Sequence, residues 1–264
     1  MVENVPHNTC LSTLARDSYL DTQSPQVYLT HFTKVRVFLF TIVAFFQLDG
    51  ELLILGKTGQ LFDTEGSTAT IALLLNDDLY VSYIGDSSAI LIGNGGKTVT
   101  NLCPEIDTAS DNTKEVERIE KAGGVVLKVG KTIRVQGELA LTRSFGDSRY
   151  KQYVISEPHI TQHKLKNENK HEFLVMASDG LWNSLTAVEV AHLVTEMKEE
   201  PENEIAERLH AEAMKRNCTD NITIAVINLE KRLQLQKEAV FTVPAAPTSR
   251  RAKENKKSFS FLIE

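Results

Sequence analysis

The sequence has few cysteines and a single tryptophan, and its cysteine usage excludes two classes of small protein. The 264 residues include only three cysteines, Cys10, Cys103 and Cys218. Their number is odd and none has Cys-x-x-Cys spacing, which argues against a zinc knuckle and against a secreted disulfide framework. We therefore expect a protein of a reducing, intracellular setting, cytoplasmic, nuclear or both.

The sequence also lacks an apolar run long enough to predict a membrane span. The longest such run, residues 37–48, falls short of the roughly 20 residues that a spanning helix needs. It lies too far from Met1 for a signal peptide and has no small-residue cleavage site. We expect residues 35–48 to form a buried core helix or strand and expect no membrane partner, although an interfacial or signal-anchor role stays open as the alternative.

An excess of positive charge is absent as well. The chain has 29 basic and 35 acidic residues, a formal net charge of -6, so its overall charge gives no reason to expect nucleic acid as a partner. Its composition, 42% hydrophobic and 24% charged, is that of an ordinary globular protein, and its length suits one sizeable domain.

Short strands and amphipathic helices fill the middle of the chain. From Gly66 the apolar pattern predicts an antiparallel meander over residues 68–92. Helices are predicted at 115–122, at 186–197, where Thr186 and Glu189 have capping-box spacing, and at 202–215. Further strands are predicted at 125–129, 132–135, 173–177 and 221–229, and a charged turn at 167–171.

Two carboxylate motifs stand where apolar strands meet turns. Asp179 lies in Ser-Asp-Gly-Leu-Trp after a continuous apolar run, and Asp220 lies in Thr-Asp-Asn-Ile-Thr before a β-branched run. A third candidate, Asp86, follows another predicted strand. A lone Asp-Gly is more often an ordinary turn, but three aspartates at strand ends favour a site for a hard divalent cation such as Mg²⁺ or Mn²⁺.

Six motifs in order resemble those of the metal-dependent protein phosphatase family, type 2C, and the resemblance covers about residues 46–229. The motifs are Gly66-Ser67-Thr68-Ala69, Gly85-Asp86-Ser87, Ala122-Gly123-Gly124, Leu141-Thr142-Arg143-Ser144-Phe145-Gly146-Asp147, Ala177-Ser178-Asp179-Gly180-Leu181-Trp182 and Thr219-Asp220-Asn221-Ile222-Thr223. The resemblance implies an α+β fold, an α-β-β-α sandwich of two antiparallel sheets flanked by helices.

The resemblance also implies a function and a set of site residues. In this family two Mg²⁺ or Mn²⁺ ions activate a water that attacks the phosphorus of phosphoserine or phosphothreonine in proteins. Asp179 and Asp220 match two ligands of that centre. Asp86 and Asp147 match family motifs at positions that resemble turn and supporting residues rather than ligands.

Several positions depart from the family pattern. Ser88 stands where the family has arginine, and Asn183 stands where it has aspartate. The segment 101–104 sits where the family has Asp-His-Lys-Pro, so an acidic side chain is lost there. The two missing aspartates resemble ligands of a third, weaker ion, which we therefore do not expect in this chain.

The motifs that open the family domain are missing from this sequence. They are an arginine-bearing strand that holds the substrate phosphate, a Glu-Asp pair, and Asp-Gly-His-Gly-Gly, which supplies a bridging aspartate and a general acid. Asp49-Gly50 continues with Glu51, so we interpret Asp49 as a helix residue. We expect the sheet to lack its first strands and to leave a neighbouring strand with an open edge.

These expectations divide the chain into three parts and leave two kinds of function open. Residues 1–45 are predicted to be an atypical, poorly ordered segment, 46–230 a partial phosphatase domain, and 231–264 a disordered tail with a basic cluster at 250–253. The first hypothesis is a monomeric protein serine/threonine phosphatase. The alternative is a catalytically impaired, phosphatase-like binding protein, or a truncated isoform or gene model.

Overall fold

The structure is a computed structural model, and part of the chain is described in it. The described residues are 25–105, 107–108, 113–130, 132–165 and 171–234. Residues 1–24 of the predicted segment 1–45, most of the predicted charged turn at 167–171, and residues 235–264 of the predicted tail 231–264 lie outside the described residues.

The elements along the described chain include five α-helices and eleven strands. The helices are α1 Pro25–Lys57, α2 Thr113–Lys121, α3 Asp179–Trp182, α4 Ala187–Glu196 and α5 Glu202–Lys215. The strands are β1 Gly66–Ser67, β2 Ala69–Leu75, β3 Asp78–Ile84, β4 Ser88–Gly93, β5 Thr98–Asn101, β6 Val126–Val129, β7 Thr132–Val135, β8 Phe145–Gly146, β9 His159–Lys164, β10 His171–Ala177 and β11 Ile224–Asn228.

Two antiparallel sheets form the centre of the fold. One has the strand order β11-β10-β4-β5 and the other the order β2-β3-β9, while β1-β8 and β6-β7 form two small ribbons. Alternate side chains of β4 point in opposite directions, as the two-residue period of a strand requires. Leu91 packs with Val81 of β3 between the sheets, whereas Ile90 and Ile92 pack beneath Val190 of α4 on the outer face.

Helices cover both outer faces of this sandwich. α4 and α5 bury an apolar stripe that includes Val194 and Leu209 against the four-stranded sheet. On the other side, Phe45 of α1 packs with Ala69 and Ile84 of the three-stranded sheet. The layer order is helix, sheet, sheet, helix, which confirms the α-β-β-α sandwich expected from the resemblance.

Local sequence signals located most of the elements. α5 coincides with the predicted helix, and α4 begins where the capping box placed it, since Thr186 accepts from the Glu189 amide while the Glu189 carboxylate accepts from the Thr186 amide. The predicted meander is wrong beyond its first hairpin. β2 and β3 pair, but β4 pairs with β5 and β10, so the chain crosses between the two sheets after Ile84.

The apolar stretch 37–48 is helical, but it is not buried as a whole. It belongs to α1. The chain divides into two compact units between residues 40 and 41, so the two parts of this stretch belong to different units. In the second unit Phe45 and Asp49 are buried, whereas Val43, Phe46 and Ile54 are exposed. Only one face of this part of α1 therefore contacts the domain, which corrects the expectation of a buried core helix.

By length and composition alone, residues 33–57 of α1 could cross a membrane. The same criteria are met by core helices and by signal sequences. The buried face argues for a role in the core over residues 45–52, because Phe45, Leu48 and Leu52 pack against the domain and the Asp49 carboxylate accepts from the Lys151 ammonium at 2.9 Å.

The three-stranded sheet has an open side. β2 pairs with β3 along its full length, and among the described residues no strand pairs with β2 on its other side. An edge strand of this kind was expected for a sheet without the family's opening strands.

Two adjacent phenylalanines of α1 test the contact between helix and sheet. We expect Phe45→Ala to lower the free energy of unfolding by about 3–5 kcal/mol, because the Phe45 ring is 1% exposed and lies 5.1 Å from the Phe145 ring. Phe46→Ala is the matched control and should change it by less than about 1 kcal/mol, because Phe46 is 48% exposed. Urea denaturation measures both, and equal effects would contradict this packing.

Candidate functional site

The two carboxylate motifs lie at one end of adjacent strands. β10 and β11 are antiparallel, and Ala177 at the end of β10 pairs with Ile224 at the start of β11. Asp179 comes two residues after Ala177, and Asp220 comes four residues before Ile224. The register of this pair therefore brings the two motifs to the same edge of the four-stranded sheet.

Backbone and side-chain contacts hold the two motif segments together. The Ser178 amide donates to the Thr223 carbonyl at 3.1 Å, and the Ser178 hydroxyl accepts from the Thr223 amide at 3.0 Å. A Cβ on Gly180 would lie 2.4 Å from the Asn221 carbonyl oxygen, closer than atoms can approach. Glycine is therefore required between Asp179 and the tryptophan, because the backbones touch there.

Asp86 reaches the same region from the crossover between the sheets. It follows β3 of one sheet and precedes β4 of the other, at a turn whose first residue, Gly85, has a φ of +92°. A Cβ on Gly85 would also meet the Thr68 side chain at 2.4 Å. β4 is hydrogen-bonded to β10 with Ser88 opposite Ala177, so the turn ends beside the segment that carries Asp179.

Electrostatics show that the three carboxylates influence one another. Burial and the negative charges of Asp179 and Asp220 raise the pKa of Asp86 to about 6. Burial and the charge of Asp220 likewise raise the pKa of Asp179. Such mutual repulsion is what a bound cation would offset. The sequence offered Asp86 as a third candidate at a strand end, although its family motif resembles a turn or supporting position, and these electrostatic interactions connect it with Asp179 and Asp220.

The donor set fits a hard divalent cation in its chemistry. Carboxylate oxygens are the ligands that Mg²⁺ and Mn²⁺ prefer, together with water. Within the described ranges, however, no three histidine, cysteine, aspartate or glutamate side chains are close enough together to form a metal-binding group. Among the described residues, Asp86, Asp179 and Asp220 are thus candidate donors that do not form a three-ligand group by themselves.

Asn183 and Trp182 support the Asp179 segment. The Asn183 side-chain amide donates to the Asp179 carboxylate at 3.1 Å, at the position where the family has an aspartate. The Trp182 indole N–H donates to the Ala177 carbonyl at 2.8 Å. The amide thus satisfies one oxygen of Asp179 instead of adding a fourth negative charge to the region.

Asp147 and Asp49 form a different cluster. Asp147 is buried, accepts from the Ser144 hydroxyl and leaves no space for a Cβ on Gly66. Asp49 lies in α1, as predicted, and accepts from the Gly146 amide and the Lys151 ammonium, each at 2.9 Å. These contacts join α1 to the β1-β8 ribbon, so the two carboxylates have structural partners there.

Sequence reasoning missed a buried charged network beside the Asp86 turn. Asp107 is fully buried and contacts His159 and Arg143, and Arg143 forms a bidentate pair with Glu115. Burial alone would raise the pKa of Glu115, but hydrogen bonds from Arg143 and Arg118 outweigh it and lower the pKa to about 2. In the sequence, Asp107 is marked only by its position three residues after Pro104, and that spacing does not predict a buried carboxylate.

A small cavity opens next to the aspartates, between the edges of the two sheets. It measures about 50 Å³, and Ser87 and Ser178, the neighbours of Asp86 and Asp179, line it together with Thr223. Thr68 and Ala69 from the start of the open strand β2 complete this side of the lining. The cavity is thus lined by residues adjacent in sequence to Asp86 and Asp179, while the aspartates themselves do not line it.

Comparison with known sequences finds one family. The family model described as Protein phosphatase 2C matches residues 53–222. "Probable protein phosphatase 2C 69" of Arabidopsis thaliana is 44% identical over 168 residues, 63% of this chain and 45% of that protein. "Probable protein phosphatase 2C 45" of Oryza sativa subsp. japonica is 43% identical over 162 residues, 61% of this chain and 54% of that protein. The chain spans about half the length of these relatives.

Solved structures share the fold at low sequence identity. A serine-threonine phosphatase 2C from Toxoplasma gondii superposes with a TM-score of 0.64 at 20% identity, covering 81% of this chain and 73% of that one. A C. elegans sex determining protein also gives 0.64 at 20% identity, covering 84% of this chain and 52% of that one. These likenesses support the sandwich architecture alone.

The repulsion among the carboxylates predicts how stability depends on pH in the metal-free protein. Because the pKa of Asp86 is higher in the folded state than its ordinary 3.8, this group favours folding at low pH, and that contribution is lost as the pH rises through about 6. Asp86→Asn should therefore stabilise the protein at about pH 8 by on the order of 1–2 kcal/mol, since one pKa unit is worth about 1.4 kcal/mol and solvent screens part of it.

At about pH 3 the same substitution should have little effect, because the carboxyl is protonated in both states. Denaturation with EDTA present, at both pH values, measures the difference. A variant that is equally or less stable than the parent at pH 8 would contradict the mutual repulsion of these aspartates.

Proposed function

Because the chain belongs to the protein phosphatase 2C family, we propose that it is a metal-dependent protein serine/threonine phosphatase. The observation that carries the proposal is that Asp86, Asp179 and Asp220, which lie far apart in sequence, influence one another electrostatically at one edge of the sandwich. Each lies in a segment that matches a family motif. The chain spans about half the length of its relatives. Its activity and its substrates are therefore part of this proposal.

In this proposal Asp179 and Asp220 hold Mg²⁺ or Mn²⁺, with Asp86 beside them. Ser178 keeps the two ligand segments in register through its contacts with Thr223, and Asn183 orients one oxygen of Asp179. Two bound metal ions would lower the pKa of a coordinated water and neutralise charge on the phosphoryl oxygens. The protein itself would hold these carboxylates in position before a metal ion binds.

The substrate class follows from the family and from the shape of the region. We propose phosphoserine and phosphothreonine side chains of proteins, which can approach carboxylates that are half-buried or exposed at the rim of the sandwich. We further propose a monomer of the cell interior.

A specific observation favours a second candidate, a phosphatase-like binding protein with impaired catalysis. The 264 residues contain no Asp-Gly-His-Gly-Gly motif, and the described residues contain no three-ligand metal group. Such a protein would keep the helices and loops that face a phosphoprotein but would bind metal weakly.

Hydrolysis of a phosphothreonine peptide in the presence of Mn²⁺ tests the first proposal. The chain should release phosphate with Mn²⁺ and not with EDTA, and Asp179→Ala should lower the rate by more than roughly 100-fold, beyond the 10- to 100-fold typical for residues that only support ligands. Asp78→Asn is the control, because Asp78 lies at the far end of β3 and contacts Gln162; its rate should match the parent's.

Absence of phosphate release above the metal-free blank would refute the enzyme. Calorimetric titration with Mn²⁺ then decides the second candidate: two tight sites would contradict an impaired, weakly binding protein. Weak binding that Asp179→Ala abolishes would support it.

A further inference from the structure

We propose that Asp107, held by His159 and Arg143, is a positioning residue that fixes the Gly85-Asp86 turn and so sets the place of the Asp86 carboxylate. This inference rests on the proposed function, because positioning matters only if Asp86 stands beside a metal site. Asp107 touches neither substrate nor ion in it and acts through the backbone of the residue before Asp86.

Asp107 binds both polar groups of the Gly85 backbone. The Gly85 amide donates to one Asp107 carboxylate oxygen at 2.9 Å, and the Asp107 amide donates to the Gly85 carbonyl at 3.2 Å. The φ of +92° at Gly85 and the contact that a Cβ would make with Thr68 allow this turn few alternatives. A turn held at both N–H and C=O has little freedom to rotate, so the next residue, Asp86, leaves it in a fixed direction.

Asp107 is itself anchored on all sides. Its side chain is fully buried, its other carboxylate oxygen lies 2.8 Å from His159 Nε2 and 3.6 Å from Arg143 Nε, and its carbonyl accepts from the Thr142 amide at 2.8 Å. His159 lies opposite Tyr83 on adjacent strands, with the rings 5.2 Å apart. The anchor therefore stands on β3 and β9, rigid elements of the three-stranded sheet.

The buried charges of this anchor are paired. Arg143 donates to both oxygens of Glu115 at 3.0 and 2.8 Å and to the Glu157 carbonyl at 2.7 Å, and Arg118 donates to Glu115 and to the Thr142 carbonyl. A buried carboxylate without such partners would be costly. Because Arg143 offsets the charge of Asp107 and His159 forms a hydrogen bond with it, the carboxylate can remain beneath the turn.

The turn needs an anchor because Asp86 faces like charges. Asp179 and Asp220 repel its carboxylate, and an unrestrained turn would relieve that repulsion by moving Asp86 outward. Holding the carboxylates close together in the absence of the ion is what preorganises a metal site. The charge of Asp107 adds a smaller repulsion of its own, but its two hydrogen bonds with the Gly85 backbone oppose the outward movement.

Three variants separate this role from simple stabilisation. Asp107→Ala removes both the acceptor for the Gly85 amide and the partner of His159. Asp107→Asn keeps an oxygen acceptor of the same shape, and His159→Phe keeps the ring against Tyr83 while losing the contact with Asp107. Asp78→Asn, at the other end of the same strand pair, is the matched control. All are compared with the parent at a temperature where circular dichroism shows them fully folded.

The first measurement needs no metal. With EDTA present, hydrogen exchange of the Gly85 amide should be at least tenfold faster in Asp107→Ala than in the parent, with Asp107→Asn between them and Asp78→Asn unchanged. In the second, calorimetry with Mn²⁺ should give an affinity roughly 10- to 100-fold weaker for Asp107→Ala, the range typical of groups that support metal ligands, with smaller losses for Asp107→Asn and His159→Phe.

The outcomes are distinguishable from those that test the proposed function. Unchanged Gly85 exchange, or folded Asp107→Ala that binds Mn²⁺ as tightly as the parent, would overturn the positioning role and leave the phosphatase proposal standing. A parent protein that binds no Mn²⁺ would overturn the proposed function and this inference with it. If Asp107→Ala does not fold, Asp107→Asn and His159→Phe must show the intermediate losses, and parental behaviour in both would refute the proposal.

Discussion

The antiparallel pairing of β10 with β11 is the constraint on which the candidate site depends. Ala177 lies opposite Ile224. This register brings the segments that carry Asp179 and Asp220 to the same end of the two strands. The close approach of Gly180 to the Asn221 carbonyl then leaves no room for a different register. A shift by one residue would turn every side chain of β11 to the opposite face, and Ile224 and Val226, which pack against the outer core, would lose that packing.

Two kinds of charge arrangement lie side by side at this edge, and their physical roles differ. Burial and the nearby carboxylates raise the pKa of Asp86 and of Asp179, and a bound cation would offset the repulsion among these aspartates. Asp107 and Glu115, by contrast, both lie beside the guanidinium of Arg143, and Asp107 also forms a hydrogen bond with His159. A compensated, buried network next to an uncompensated cluster is what keeps the cluster in place, because like charges do not hold themselves together.

Sequence periodicity and capping chemistry were sufficient for elements whose contacts are local. α5 has the predicted bounds, and Thr186 caps α4 as its spacing indicated. The pairing of β4 was not accessible in this way, because strand pairing is a non-local choice that hydrogen-bond partners far along the chain decide. Likewise, the apolar run in α1 contains both Phe45, which is buried, and Phe46, which is exposed. Composition cannot distinguish the two, because burial depends on which face of the helix packs against the sheet.

The sequence by itself determined the family resemblance, which implied the layer architecture, and offered Asp86, Asp179 and Asp220 as candidates, because each lies in a motif of consecutive residues that can be recognised locally. Only the tertiary structure decided that Asp147 is buried against Ser144 and that a buried Asp107 lies beneath the Asp86 turn. The reason is physical: burial, repulsion and hydrogen bonding are properties of neighbours in space, and the crossover between the two sheets brings together residues that the sequence keeps far apart.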